Sequence, residues 1–147
     1  MKLAKSEYVI RVVDDDEEFL DAVEFLLSTE NWKTKIYAGA QDFLKNESFD
    51  KPGCIILDYC MPEMSGIDLQ SRINTISKIL PIIFLTGHAK IDLAIKVFKA
   101  GAFDFLQKPL KKEELLKAIE EAIEASDQRR QDYYEHSKRY LYDRLTN

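Results

Sequence analysis

Apolar residues follow two rhythms along this chain. Short, mostly apolar runs stand near residues 8–13, 54–57, 81–85 and 102–107, and between them apolar positions recur every three or four residues. The first rhythm predicts buried strands and the second amphipathic helices. Tyr8-Val9-Ile10-Arg11-Val12-Val13 reads as a mostly apolar strand that stops at Asp14-Asp15-Asp16-Glu17. Behind those acids, which favour the positive end of a helix dipole, Phe19, Leu20, Val23, Leu26 and Leu27 predict a first helix ending near Thr29 or Glu30. Residues 33–37 alternate like a half-buried edge strand, Gly39 breaks the pattern, and residues 40–45 predict a short second helix with Phe43 and Leu44 inward. The run at 54–57 is apolar on both faces, so it belongs in the middle of a sheet covered on both sides. A third helix over 66–76 is expected to bury Ile67, an edge at Leu69 or Gln70, Ile73 and Ile76. A fourth strand ends at Thr86-Gly87-His88, a fourth helix closes on Gly101, and a fifth strand ends at Lys108-Pro109. From Lys111 onward neither Gly nor Pro interrupts a final helix, which can continue past residue 125.

Strands alternating with helices, with central strands apolar throughout, predict an α/β fold. Right-handed crossovers and short connections favour a flavodoxin-like, doubly wound, five-stranded parallel sheet in the order 2-1-3-4-5, with helices on both faces. Its switch point falls between the first and third strands, the ones ending at Asp14-Asp15 and Asp58. A length of 147 residues fits one domain, and 46% hydrophobic residues fits a globular one. No stretch is apolar for the length of a bilayer, and the first residues lack the apolar core of a signal peptide, so a cytoplasmic location and no membrane partner are the default expectation. Cys54 and Cys60 suit neither a disulfide framework nor a zinc site and are expected to be reduced thiols. A net charge of −5 lacks the basic footprint of a nucleic-acid-binding domain, so any contact with DNA runs through a segment absent here.

Candidate chemistry collects at the carboxyl ends of the strands: Asp14 and Asp15 from the first, Asp58 from the third, Thr86 from the fourth, Lys108 from the fifth. Taken alone, Asp58 reads as a strand-end acid capping the helix that starts near Ser65. In a parallel sheet, however, all five residues converge on one crevice. Two carboxylates about 4 Å apart repel by about 4 kcal/mol at an effective dielectric of about 20, so a cation is needed. A partly hydrated site of carboxylate oxygens suits Mg²⁺. Lys108 and Thr86 suit phosphate oxygens. The set describes phosphoryl transfer, with Asp58 as nucleophile because it stands alone on the central strand.

The stretches Val13-Asp14-Asp15-Asp16, Leu57-Asp58-Tyr59-Cys60-Met61-Pro62-Glu63-Met64-Ser65-Gly66, Leu85-Thr86-Gly87-His88 and Lys108-Pro109 resemble the receiver domain of two-component response regulators over roughly residues 7–125. The resemblance implies that Asp58 accepts a phosphoryl group from a sensor histidine kinase. It implies that Asp15, Asp58 and the backbone carbonyl of Cys60 ligate Mg²⁺, with Asp14 acting through water. Thr86 and Lys108 would contact the phosphoryl oxygens, Phe105 would be the switch aromatic, and the Lys108-Pro109 bond would be cis. His88 would sit on the rim and tune dephosphorylation. In the fourth helix, Leu93, Ala94, Val97 and Ala100 form one apolar stripe and Ile91, Ile95 and Phe98 a second. The resemblance assigns the second, with Lys99, to a dimer surface of the phosphorylated state. The motifs most resemble the nitrogen-fixation branch, whose members carry LuxR-type helix-turn-helix effectors, and Asp143-Arg144-Leu145-Thr146-Asn147 resembles the entry to such an effector. The expectation is therefore a receiver over 1–125 and a helical linker over 126–147. It would be a switch that promotes only its own phosphorylation and dephosphorylation, rather than an enzyme acting on other substrates. Asp16 is expected to start a helix rather than enter the site. A single-domain adaptor is the alternative within this reading. Outside it stands a haloacid-dehalogenase-type phosphatase, which needs a second acid two residues beyond the nucleophile, where this chain has Cys60.

Overall fold

The strands Val9–Val13 (β1), Lys33–Tyr37 (β2), Gly53–Asp58 (β3), Ile82–Thr86 (β4) and Asp104–Gln107 (β5) form one parallel sheet in the order β2-β1-β3-β4-β5. The computed structural model that contains them describes residues 4–87 and 91–146, the side chain of Ile91 excepted. Every residue of β1, β3 and β4 is buried, whereas β2 alternates, which fits three covered central strands and one edge. β5 starts at Asp104, two residues later than the apolar run suggests.

Helices Glu17–Thr29 (α1) and Lys112–Thr146 (α5) cover one face. There Leu20, Val23 and Leu27 meet Leu115, Ile119 and Ile123 over Ile10, Val12, Ile56 and Leu85. Ala40–Asn46 (α2), Gly66–Ile76 (α3) and Ile91–Lys99 (α4) cover the other, where Phe43, Leu69, Ile73 and Val97 pack on Val13, Ile55, Leu57 and Phe84. Alternate residues of each strand feed opposite cores, as the period of two requires. Ile76 departs from expectation. It is 52% exposed because, although it shares the face of Leu69 and Ile73, it is the last residue of α3, where the helix is no longer covered. Leu44 packs against the same core as expected but stays half-buried, while Phe43 is fully buried.

Arg11 sits in the middle of β1 at 1% exposure, on the face that packs against α2 and α3. Its Nε donates to Glu47 Oε2 at 3.1 Å, its Nη1 to Val9 O at 3.0 Å and its Nη2 to Lys51 O at 2.6 Å. Glu47, just past α2, also accepts the Tyr37 hydroxyl at 2.6 Å and the Phe49 N–H at 2.8 Å. Burial pushes the Glu47 carboxyl up, but the Tyr37 hydroxyl, the Arg11 charge and the Phe49 N–H together hold it below its ordinary range.

The final helix is continuous over 35 residues. Its inward face is buried as far as Ser126, and beyond that Tyr133, Tyr134, Tyr140, Leu141 and Tyr142 are exposed. Where it leaves the sheet, the Tyr8 hydroxyl donates to Asp127 Oδ2 at 2.6 Å and Arg130 pairs with Asp127.

Candidate functional site

Parallel register brings the strand ends to one rim. Val13 pairs with Leu57, so Asp14 and Asp58 leave neighbouring strands side by side. Asp58 pairs with Leu85, which places Thr86 one residue further along β4, and the Thr86 carbonyl accepts the Lys108 N–H at 2.7 Å. Asp14 and Asp58 are buried, and Asp15 is exposed. One carboxylate oxygen from each of these three acids lies within 4.8 Å of the others, a set of hard oxygen donors able to hold a small divalent cation. Lys108 Nζ donates to Asp14 Oδ2 at 2.7 Å, stands 3.6 Å from Asp58 Oδ1, and lies 4.2 Å from the centroid of the Phe19 ring. The Lys108-Pro109 bond is cis.

Local chemistry holds each acid in place. The Asp14 N–H donates to Tyr37 O at 3.1 Å, and Asp14 Oδ1 accepts the Asp16 N–H. Asp16 turns away to cap α1, accepting the N–H groups of Glu18 and Phe19, which is the helix-start role expected of it. The loop after Asp58 closes when the Gly66 N–H donates to Tyr59 O at 2.9 Å, and Ser65 caps α3. Gly66 is there because nothing larger fits. A Cβ would lie 2.7 Å from the Asp58 carbonyl oxygen, 2.8 Å from the Phe84 ring and 2.9 Å from Tyr59 Cα. Gly66→Ala is therefore expected to cost about 1–3 kcal/mol in urea denaturation and to shift the Asp58 amide resonance. An unmoved Asp58 resonance in the variant would contradict this.

The electrostatics follow from burial beside like charge. Burial, then the Asp14 carboxylate, push the Asp58 carboxyl up to about 6, while Lys108 and the Cys60 N–H pull it back. Burial acts against the Lys108 ammonium, but its hydrogen bond to Asp14 and the Asp14 and Asp58 charges outweigh that and hold it above its ordinary range. Cys54 is a core thiol that burial pushes up to about 12, and the Cys60 side chain is exposed on the rim. Tyr59, Cys60, Thr86, Asp92, Leu93 and Lys96 line a cavity of about 440 Å³ beside the acids.

The structure thus gathers Asp14, Asp15, Asp58, Thr86 and Lys108 at one rim. Phe105 lies two residues before Gln107, the β5 partner of Thr86, and is half-buried against the core on the α3 and α4 side. His88 and the side chain of Ile91 lie outside the described residues. On α4, Val97 is buried while Ile95 and Phe98 are 49% and 46% exposed, and Lys99 is exposed, so the two apolar stripes do part company. Sequence reasoning used Phe19 only as one of the apolar positions that predict the first helix and missed its contact with Lys108. Its position in the first turn of α1, four residues past Asp15, was the available signal.

These observations agree with the known proteins this chain resembles. Residues 10–120 match the family described as response regulator receiver domain. The chain is 40% identical over 126 residues to the response regulator protein TmoT of Ectopseudomonas mendocina, covering 86% of this chain and 57% of TmoT. It is 32% identical over 119 residues to the transcriptional regulatory protein FixJ of Rhizobium meliloti, covering 81% of this chain and 58% of FixJ. The chain thus spans little more than half the length of these relatives. The solved structure of the response regulator StyR superposes with a TM-score of 0.84 at 34% identity, over 93% of this chain and 70% of that one. With its strand order and its acids at the strand ends, the chain belongs to the response regulator receiver domain family.

Proposed function

We propose that this chain is a phosphorylation-driven switch whose acceptor is Asp58. The observation that carries the reading is a buried carboxylate at the end of the central strand with two further acids and a lysine gathered on it. An Asp58 oxygen attacks the phosphorus of a phosphohistidine on a sensor kinase. The P–N bond breaks, the imidazole leaves with the electron pair, and an aspartyl phosphate forms. Asp15, Asp58 and the Cys60 backbone carbonyl would hold Mg²⁺, with Asp14 acting through water, and the ion would supply positive charge against the carboxylates and phosphoryl oxygens. Lys108 and Thr86 take the phosphoryl oxygens, and His88, two residues past Thr86 in sequence, tunes hydrolysis. The chain promotes only its own phosphorylation and dephosphorylation, in the cytoplasm.

A phosphoryl group adds about −1.5 to −2 charges at the end of β3. Thr86 and Lys108 move toward it, Phe105 turns into the space Thr86 leaves, and α4 repacks against β5. Ile91, Ile95, Phe98 and Lys99 then form the face of a homodimer, and the exposure of Ile95 and Phe98 supports this. Residues 1–125 are the receiver and residues 126–147 a helical linker, with DNA reached only through a LuxR-type helix-turn-helix domain not present in this sequence. Replacing Ile95 by Glu is expected to leave phosphorylation intact and to abolish phosphate-dependent dimerisation in sedimentation velocity. Persistence of the phosphorylated dimer would remove this face from the proposal.

The acceptor is tested by incubating the chain with acetyl phosphate and Mg²⁺ and mapping the phosphoryl group by mass spectrometry. A hydroxylamine-labile group on the peptide containing Asp58 is the expected result. Modification elsewhere, or none, overturns the assignment.

A further inference from the structure

We propose that Phe19 is a positioning residue for phosphoryl transfer, its ring face holding the Lys108 ammonium at the reactive edge of Asp58. The proposal rests on Asp58 being the acceptor. Lysine is a point charge on a flexible four-carbon stem, and carboxylates attract it from any direction within reach. Here Asp14 anchors the ammonium by one hydrogen bond at 2.7 Å, and Asp58 at 3.6 Å is too far to add a second. The Phe19 ring, with its centroid 4.2 Å away, supplies a further contact with this cation. At that distance the negative face of the ring attracts a cation.

The lysine also has somewhere else to go. Phe19 and Lys108 line a cavity of about 520 Å³ together with Leu26, Pro109 and Leu115. Lys108 is itself part-exposed, with a side-chain exposure of 24%. Without the ring, the stem is free to sample that space and the solvent, and the ammonium has to be recovered before it can meet an incoming phosphoryl oxygen. Catalytic charge is most effective when its position is fixed beforehand. A ring in the first turn of α1 does this without adding charge to a site already crowded with carboxylates.

The test compares the full chain with Phe19→Leu and Phe19→Trp, using acetyl phosphate and Mg²⁺. Phe19→Leu keeps an apolar side chain and removes the π face. It is expected to lower the maximal rate of Asp58 phosphorylation about threefold, with the half-saturating donor concentration unchanged. Phe19→Trp is expected to retain the wild-type rate. In a Lys108→Met background, Phe19→Leu is expected to have no further effect. The ε-methylene protons of Lys108 should resonate upfield in the wild-type chain through the ring current and lose that shift in Phe19→Leu. Three results each overturn the proposal: a wild-type rate in Phe19→Leu, an equal loss in Phe19→Trp, or an equal loss in the Lys108→Met background. Absence of label on wild-type Asp58 would instead overturn the acceptor reading on which the proposal rests.

Discussion

Asp58→Asn is expected to abolish phosphoryl uptake from acetyl phosphate and, in the same molecule, to make the metal-free protein more stable. Both effects come from one carboxylate. The buried Asp58 carboxyl titrates near 6, against an ordinary value of 3.8, because it is desolvated beside Asp14. The native chain therefore holds a proton that the unfolded chain releases near pH 4. A group with a raised acid pKa penalises the native state above that pKa, and the penalty fades as pH falls from about 6 towards 4. At neutral pH this difference amounts to a penalty on the order of 2 to 3 kcal/mol. An uncharged Asn escapes it, so the urea midpoint at pH 7 without metal should rise, while at pH 4.5 variant and wild type should converge. Mg²⁺ should stabilise the wild type more at pH 7.5 than at pH 5, since proton and cation compete for the same oxygens. Equal stability of the two proteins at pH 7 would show that the acids do not repel as their burial requires.

The largest loss of stability is expected far from the reactive rim. Glu47→Ala leaves the Arg11 guanidinium at 1% exposure without its carboxylate, and breaking such a buried pair costs about 3–5 kcal/mol. That is a large fraction of the roughly 5–15 kcal/mol by which a domain is stable. The variant also strands the Tyr37 hydroxyl and the Phe49 N–H, both donors to Glu47. Replacing the pair together, Arg11→Met with Glu47→Leu, should recover much of the loss but not all, because those two donors stay unpartnered. Guanidinium or urea denaturation of the three proteins decides it. A Glu47→Ala variant within 1 kcal/mol of wild type, on the scale of an exposed ion pair, would mean the pair is not buried in solution.

Asp58 and Arg11 stand on either side of what the sequence makes legible. Asp58 could be read because every signal around it is local: an apolar run on one side, Pro62 and Gly66 on the other, and a strand order that follows from which runs are apolar on both faces. The convergence of Asp14, Thr86 and Lys108 on it then follows from parallel topology alone. Arg11 could not be read that way. A lone cation in a strand looks like an edge or a defect until its partner is known, and Glu47 lies 36 residues away with no spacing rule to connect them. Gly66 was legible as a turn residue. Its closer constraint, a helix start pressed against the Asp58 carbonyl, depends on how α3 docks. Ile76 was misassigned because helical periodicity gives a direction and not the depth at which a helix stops being covered. Phe19 was legible as an apolar position of the first helix and packs half-buried against the core, and its cation contact emerged only once Lys108 had an address.

The unbroken run of α5 would let a small tilt near the sheet be felt far from it. From Asp127 to Thr146 the helix extends about 30 Å, so a tilt of about 5° at its base carries the far end through about 2–3 Å. At that base the Tyr8 hydroxyl ties Asp127 to the sheet, so a tilt there would turn about this bond. Burial and the Asp127 carboxylate push the Tyr8 hydroxyl up to about 12, so it remains a donor well above neutral pH. A repacking too small to alter the core can thus reach the tip of the helix as a displacement comparable to the length of a hydrogen bond.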